Sequence, residues 1–522
     1  MNGSGSLSYL LGVDFGTSGV RVGAFNPDTL RLDELVDEAY PTEHPHPGWA
    51  EQHPEDWWDS FRVAIRKLLN KVGTTDVSAI TVATTSSTVV VASEEGKPLR
   101  PAILWMDARA DAESRFTGTI DHPVMRYSGG SDAVEWLVPK AIWLANHEPE
   151  IYRQADRIVE AVDFINFRLT HEWTGSKLNA TCKWNYDPEI AGFHPDLFEA
   201  FGVGDLLTKL PDRILPVGSV IGTLLPAVAS DLGITSRPLI VQGGIDAHTA
   251  MLGSASIEPG RLLIQGGTSV VHLTQTLTPK YARGIWGPYP SALLDGYWLI
   301  EGGQVSGGSI LSWLAEKIFE LAPAGHDALI QEAMRVPPCS SGLLTLDYWM
   351  GNRTPYRDAK LRGTIMGLSL FHDQACIYRS AVESIALGTK NVVDSFETQG
   401  IPISHAVVAG GIRNNPLWLE TLVDVLGRPV HLTVETNLSI LAGAIAGTVA
   451  LGIFPTLEKA SKTIVRYDRV LEPNAERQEI YAEALELYRR ATAVLTPILH
   501  QLEASAKEKT PVVIDPQFAN QA

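Results

Sequence analysis

Cysteine is scarce in this chain. Its 522 residues include 3, Cys182, Cys339 and Cys376, with no CxxC pair and no metal-ligand spacing. That excludes a disulfide framework or thiolate metal site and makes a reducing cytoplasm the expected compartment. Basic charge is also in deficit: 42 Lys+Arg stand against 60 Asp+Glu, a formal net charge of −18. A surface of that sign repels a phosphate backbone, so no nucleic-acid partner is expected. The opening residues MNGSGSLS carry neither a cationic nor an apolar signal region and read as a flexible lead-in over residues 1–8. The one long uncharged run, Leu438–Phe454 (LSILAGAIAGTVALGIF), is shorter than the roughly 18–20 apolar residues of a bilayer span. Its alanines and glycines suit a helix packed closely in a core, so no membrane partner is expected. There is no GxxxxGK[ST], no GxGxxG after a strand and no HExxH, which sets aside P-loop, Rossmann and zinc-protease mechanics. His44, His46 and His53 lie close together, but prolines separate them in an apparent loop, and no metal is expected there.

Against these absences stand two segments of one build, an apolar strand, a Gly-Thr-Ser turn and a second strand. The first is LLGVDFGTSGVRVGAF (Leu10–Phe25), entered by Asp14, and the second is LLIQGGTSVVHLTQT (Leu262–Thr276). Such a turn aims bare N–H groups and a hydroxyl into one concavity, and such nests bind anions. One nest per half predicts two domains closing over a polyphosphate, hence ATP-dependent phosphoryl transfer. Composition agrees, with 45% hydrophobic and 20% charged residues, as in an ordinary globular protein.

Strand and helix patterns alternate along the chain, which predicts an α/β fold. Helices are expected at Pro54–Val72, where Trp57, Phe61, Ile65 and Leu68 recur at helical spacing, and at Lys140–Asn146, Cys376–Phe396, Pro416–Leu426 and Ala475 to about Thr496. Strands are expected at Ala79–Val91, Leu239–Gln242, Arg261–Gln265, Gly296–Ile300 and Ala406–Ala409. The loop GSASIEPG between Ala250 and Arg261 separates two pattern blocks. The expected layout is therefore one domain over residues 9–255, a second over 256–503, and a loose tail over 504–522.

RPLIVQGGIDAHTAML (Arg237–Leu252) reads as a strand, a Gly243-Gly244 turn and Asp246 at or near a helix N-terminus. There the helix dipole and free amides are expected to keep the carboxylate ionised. Asp246 then suits a general base for a hydroxyl attacking a γ-phosphate. Taken alone it reads as readily as a helix cap. Asp14 has the same ambiguity, its functional role being to hold Mg²⁺ beside the phosphates. VVAGGIRNNPLWLETL (Val407–Leu422) joins a strand through Gly410-Gly411 to a helix opening near Asn414, which can hold a ribose or phosphate.

These segments resemble the FGGY carbohydrate kinases. The likeness rests on VDFGTSGVR, PGWAEQHPEDWW (Pro47–Trp58), WMDARA (Trp105–Ala110), GGIDAH, GGTS and AGGIRNNPLW, and covers about residues 9–500. The resemblance implies two actin-like, RNase H-like domains with the active site in the cleft between them, and transfer of the γ-phosphate of ATP, with Mg²⁺, to a sugar or polyol. Carried over by position, Asp246 is the base and Asp14 the metal carboxylate. Thr17, Gly267 and Thr268 line the phosphates, while Gly307, Gly411 and Asn415 lie along the nucleotide. Two positions depart from the family signatures. Leu137 stands where Pro, Ser or Thr is preferred three residues before Lys140, and Cys376 stands where a polar residue is usual. Neither removes a group with a chemical role.

ATCKWNYD (Ala180–Asp187), WGPYPSALLDGYWLIEGGQVSGGS (Trp286–Ser309), YWMGNRTPYRDAKLRG (Tyr348–Gly363) and ATTSSTVVV (Ala83–Val91) resemble the ribulokinase-like branch. The sugar-binding residues this implies are Ser86, Lys183, Asp246 and Glu301. Alone, Lys183 reads as a surface cation and Glu301 as a buried ion-pair partner. The expected reaction is D-ribulose to D-ribulose 5-phosphate, with L-ribulose, D-xylulose, ribitol and erythritol as alternative acceptors. A homodimer is common among such relatives. From another class, an actin- or chaperone-like ATPase switch shares the fold, and turnover of ATP without an acceptor separates the two.

Overall fold

The N-terminal hairpin is the centre of a six-stranded sheet in the computed structural model, which describes residues 8–281, 284–339 and 342–509. Tyr9–Phe15 and Gly19–Asn26 pair antiparallel, with Asp14 opposite Arg21 and Phe15 opposite Val20 at the turn. Arg31–Ala39 extends this side. On the other side Val77–Thr84 and then Leu239–Val241 pair parallel, and Val220–Thr223 closes the edge antiparallel. The second hairpin, Arg261–Gly266 with Val270–Thr276, repeats this arrangement. Trp298–Gln304 lies antiparallel on one side, His405–Gly410 and Val430–Thr433 parallel on the other, and Tyr467–Leu471 antiparallel beyond them. One further strand, Trp286–Pro290, makes this sheet seven-stranded. Two copies of one strand order, each built on a glycine-turn hairpin, give the actin-like α/β architecture.

Local sequence explains the helices. Pro54–Val72 starts with proline in its first turn, buries Trp57, Trp58, Phe61, Ile65 and Leu68, and ends at Gly73 in the left-handed conformation, φ 70°. The helices at Leu137–His147, Gln374–Thr398 and Pro416–Leu426 fall on the expected segments. Leu137 and Cys376 are both buried packing positions. The run Ala79–Val91 is two strands rather than one, Val77–Thr84 and Val89–Ala92, and the turn between them presents Ser86. The last helix runs from Ala475 to Lys509, past its expected end, so residues 504–509 are helical rather than loose. Residues 1–7 and 510–522, the remainder of the two expected loose ends, lie outside the described residues.

The uncharged run forms the helix Leu438–Ala450, buried at every position from Leu438 to Thr448. Among the described residues no helix is long and apolar enough to cross a membrane. Although it follows the second sheet in sequence, this helix packs on the first, against Tyr9–Phe15, Val77–Thr84 and the helix Asp246–Gly253. The contact is backbone to backbone. A Cβ on Gly12 would stand 2.2 Å from the Ile440 carbonyl oxygen, and one on Gly253 2.0 Å from that of Leu438. Only glycine permits this approach.

Replacing Gly12 with alanine should therefore push the helix off the strand and destabilise the protein by about 3 kcal/mol, the upper range for overpacking. Thermal unfolding should show a clear fall in Tm. Alanine at Gly192, where a Cβ meets nothing nearer than 3.7 Å, serves as the control and should leave Tm in place.

Candidate active site

The first hairpin carries Asp14 on its last strand residues and Thr17 in its turn. Thr17 is fixed from two sides: Trp105 Nε1 donates to its Oγ1 at 3.0 Å and Gln52 Nε2 to its carbonyl at 2.7 Å. Asp14 is buried; its Oδ2 accepts from Ser439 Oγ at 2.7 Å, and its Oδ1 is buried with no partner. From the opposite wall comes Asp246. The chain crosses beneath it at Gly243, where a Cβ would sit 2.0 Å from the Val82 carbonyl oxygen. Ile245 is the cap of the helix Asp246–Gly253, so Asp246 is its first residue and not its cap. Its Oδ1 accepts from the Ala247 N–H at 2.6 Å.

Both carboxylates line one cleft of about 500 Å³, together with Thr17, Ser86, Lys183, Glu301, Gly267 and Thr268. Burial raises the pKa of Asp14 and pushes that of Asp246 up to about 7, the neighbouring Asp14 charge adding to the latter. The Ala247 amide and Arg21 pull Asp246 back only in part. This corrects the expectation that the helix terminus keeps Asp246 ionised: one amide hydrogen bond does not offset desolvation beside a second carboxylate. An unpartnered buried carboxylate oxygen facing another acid is a donor set that fits a divalent cation.

Deeper in the cleft Lys183 is buried rather than a surface cation. Its Nζ lies 3.0 Å from Glu301 Oε2, and His248 Nε2 lies 3.2 Å from the same oxygen. Burial alone would raise the Glu301 carboxyl, but Lys183 and His248 hold it well below the usual carboxylate range. Burial lowers the pKa of His248, which favours the neutral imidazole. Lys183 Nζ also stands over the rings of Trp136 and Trp286, at 4.8 and 5.5 Å. Arg353 lies over the Trp286 ring at 4.7 Å and hydrogen-bonds Glu135, tying the two halves together beside the cleft.

The second hairpin turn divides this cleft from another of about 600 Å³, since Gly267 and Thr268 line both. Gly411, Asn415, Tyr378 and Trp418 line the second cleft. Asn415 caps the helix Pro416–Leu426 by accepting from Trp418 N at 3.1 Å, and its amide donates to Tyr378 OH at 3.1 Å. Gly307 lines neither cleft. It backs the turn, its N–H donating to the Thr268 carbonyl at 2.8 Å, and its neighbour Gly308 faces the cavity. A glycine-lined hollow reached from a backbone turn fits a nucleotide with its phosphates on Gly267 and Thr268.

His248, Trp286 and Arg353 stand inside motifs quoted above, yet spacing gives them no role. Ser439, 425 positions from Asp14 in the chain, has no local signal. His44, His46 and His53 do not converge: His44 bonds the Trp49 carbonyl and His53 lies 3.7 Å from Glu43. Among the described residues only His122, His194 and Asp196 group at metal-ligand spacing. His122 Nδ1 accepts the Val124 N–H there, which leaves its Nε2 protonated and opposes ligation.

A duplicated sheet with two anion-type turns facing one cleft defines the two-domain actin-like ATPase class. The chain belongs to the FGGY family of carbohydrate kinases: the family's N-terminal domain matches residues 9–253 and its C-terminal domain residues 262–451. It is a sugar kinase, and ATP is the phosphate donor of that family. An FGGY carbohydrate kinase domain-containing protein of Homo sapiens is 28% identical, over 92% of this chain and 95% of that protein. A ribulokinase of Geobacillus thermodenitrificans is 27% identical, over 92% of this chain and 93% of its own length. The crystal structure of gluconate kinase from Lactobacillus acidophilus superposes with a TM-score of 0.85 at 22% identity, over 97% of this chain and all of that one, a likeness of fold.

The Asp246 shift has a consequence for stability. Its folded pKa of about 7 lies above the ordinary 3.8, so the folded state binds a proton more tightly than the unfolded chain. Stability from this group is complete below pH about 4 and is lost as pH rises toward 7. Asp246→Asn, which carries no charge to bury, should raise Tm relative to wild type at pH 8 by several degrees and much less at pH 5. Thermal scans of both proteins at the two pH values test this; an equal or inverted difference contradicts the shift.

Proposed function

We propose that this sugar kinase phosphorylates the terminal hydroxyl of a ketopentose, D-ribulose to D-ribulose 5-phosphate, with Asp246 as general base. The observation that carries this is the convergence of Asp246 in one cleft with both glycine turns and the Lys183–Glu301–His248 group, where burial and the Asp14 charge push the Asp246 pKa up to about 7. A base poised near neutrality holds a useful deprotonated fraction and still accepts a proton readily. The sugar's hydroxyls take Lys183 as donor and Glu301 as acceptor, with Ser86 at the loop beside them. Trp136 and Trp286 cover its apolar C–H face. Asp246 accepts the proton of the terminal hydroxyl as that oxygen bonds to the γ-phosphorus and the bond from that phosphorus to the β-phosphate oxygen breaks, ADP leaving.

MgATP supplies the transferred phosphoryl group and the divalent charge that offsets the phosphates. The Gly267-Thr268 turn and Thr17 would hold the phosphates, Gly411 and Asn415 the nucleoside end, and the unpartnered oxygen of Asp14 the Mg²⁺. Asp246 is only partly covered in the cleft, so closure of the two domains over the acceptor expels the water that otherwise competes for the phosphoryl group. The ketopentose rests on the likeness to proteins named ribulokinase and on the Lys183–Glu301 pair, which gives a polyol one strong donor and one strong acceptor.

Two experiments test this. Asp246→Asn should cut turnover 10²-fold or more while nucleotide binding stays near wild type, as for loss of a general base; turnover within threefold of wild type removes Asp246 from that role. ADP release with MgATP should be strong on D-ribulose and weak on L-ribulose, D-xylulose, ribitol, erythritol and glycerol. A stronger response to another acceptor keeps the mechanism and changes the substrate, whereas rapid hydrolysis with no acceptor points to an ATPase switch.

A further inference from the structure

Behind the sugar side of the cleft lies a carboxylate with no exposure at all. Glu160 is 0% accessible and touches neither cleft. Its Oε1 accepts from Ser87 Oγ at 2.7 Å and from Trp184 Nε1 at 2.8 Å, and its Oε2 accepts from Asn179 Nδ2 at 2.8 Å. Ser87 follows Ser86 in the turn between two strands, while Asn179 lies on the helix Lys177–Lys183, which Trp184 ends. Glu160 thus binds, from behind, two of the elements that present sugar-facing groups, the Ser86 turn and the Lys183 helix. Asn179 Nδ2 also reaches Ser86 Oγ at 3.5 Å, a long contact that joins the same two elements.

The carboxylate is itself fixed. It opens the helix Ala161–Thr170 in a reciprocal cap with Asp163, and Asp163 Oδ1 accepts from Ser176 N at 3.1 Å just before the Lys183 helix. A second fully buried charge meets the turn from the other side: Lys140 Nζ donates to the Ser87 carbonyl at 2.8 Å and to that of Leu104 at 2.6 Å. Leu104 precedes Trp105, whose indole holds Thr17. Burying such groups is costly unless their hydrogen bonds are made; Glu160 accepts three and Lys140 donates two, while Asn179 Oδ1 stays without a partner.

We propose that Glu160 is a positioning residue for the sugar site, holding the Ser86 turn and the Lys183 helix at a fixed separation. It does so through Ser87 on one side and Asn179 and Trp184 on the other. The proposal rests on Ser86 and Lys183 contacting the sugar. It assigns Glu160 no contact with substrate, so its effect must appear in sugar binding and not in nucleotide binding.

Glu160→Gln is the direct test, because it keeps the shape but removes the charge on which all three accepted hydrogen bonds draw. The KM for the best acceptor of the panel should rise about tenfold, the order expected for losing a charge-assisted hydrogen bond. The KM for MgATP should stay within about twofold. Amide hydrogen exchange without substrate should quicken in residues 85–88 and 177–184 and stay unchanged in the hairpin 10–25. If Glu160→Gln does not fold, Ser87→Ala removes one bond of the set and should raise the sugar KM alone by a few-fold. A sugar KM at the wild-type value, a parallel rise of both KM values, or exchange quickened throughout the protein each overturns the proposal. A wild-type protein silent with every acceptor overturns the functional assignment and this proposal together, whereas an active wild type beside an unaffected Glu160→Gln overturns this one only.

Discussion

The contact between the helix Leu438–Ala450 and the strand Tyr9–Phe15 is the constraint on which the geometry of the cleft depends. At Gly12 and Gly253 the helix backbone takes the space where a side chain would stand, so its distance from the first sheet is fixed by main-chain atoms. Side chains hop between rotamers, but a backbone seated on a backbone has little freedom to slide. The helix also packs against Asp246–Gly253, the element that carries the second cleft carboxylate. One buried segment from late in the chain therefore sets the positions of both Asp14 and Asp246. Ser439, in its first turn, orients Asp14 so that one oxygen is spent on a hydrogen bond and the other is left without a protein partner.

That arrangement stores electrostatic work. Burial raises the proton affinity of both carboxylates, the Asp14 charge adds to that of Asp246, and Arg21 offsets the shifts only in part. In the proposed mechanism Asp14 would hold a divalent ion through its unpartnered oxygen, and that ion would supply positive charge beside Asp246. With a formal charge of −18, polyphosphate affinity must come from turn amides and the bound ion rather than from a basic surface.

Most of the fold is legible in the sequence because its elements are locally determined. Pro54–Val72 has proline at one end, glycine at the other and a continuous apolar stripe between, so pattern and caps agree. The paired Gly-Thr-Ser turns reveal the duplication because an anion nest needs those residues wherever it occurs. The split of Ala79–Val91 is hidden, since Thr85–Thr88 continue a β-rich composition while the chain turns. The helix beyond Thr496 is hidden for the opposite reason: its last turns carry little apolar period, and the helix continues to Lys509 nonetheless. At the site, Asp14, Lys183, Asp246 and Glu301 come from motif likeness and converge in one cleft. The raised pKa of Asp246 does not follow from its helix position, because a pKa depends on what burial removes and which charge lies opposite. Neither comes from nearby sequence.

The Lys183–Glu301 pair shows how such a site stays specific while buried. Removing both charges from water is expensive, and their attraction repays it only when the remaining lone pairs and protons are satisfied. Here Glu301 takes two donors on one oxygen and Lys183 rests against two indole rings, so the pair is held but not saturated. A row of sugar hydroxyls can complete both shells at once, donating to Glu301 and accepting from Lys183. A molecule lacking one of those hydroxyls leaves a charged group short of a partner, a penalty larger than any gain from apolar contact. In the proposed site, discrimination among acceptors would depend on hydroxyl placement relative to this pair. Its position comes from the layer behind it, where Glu160 and Lys140 hold the backbone that carries the site.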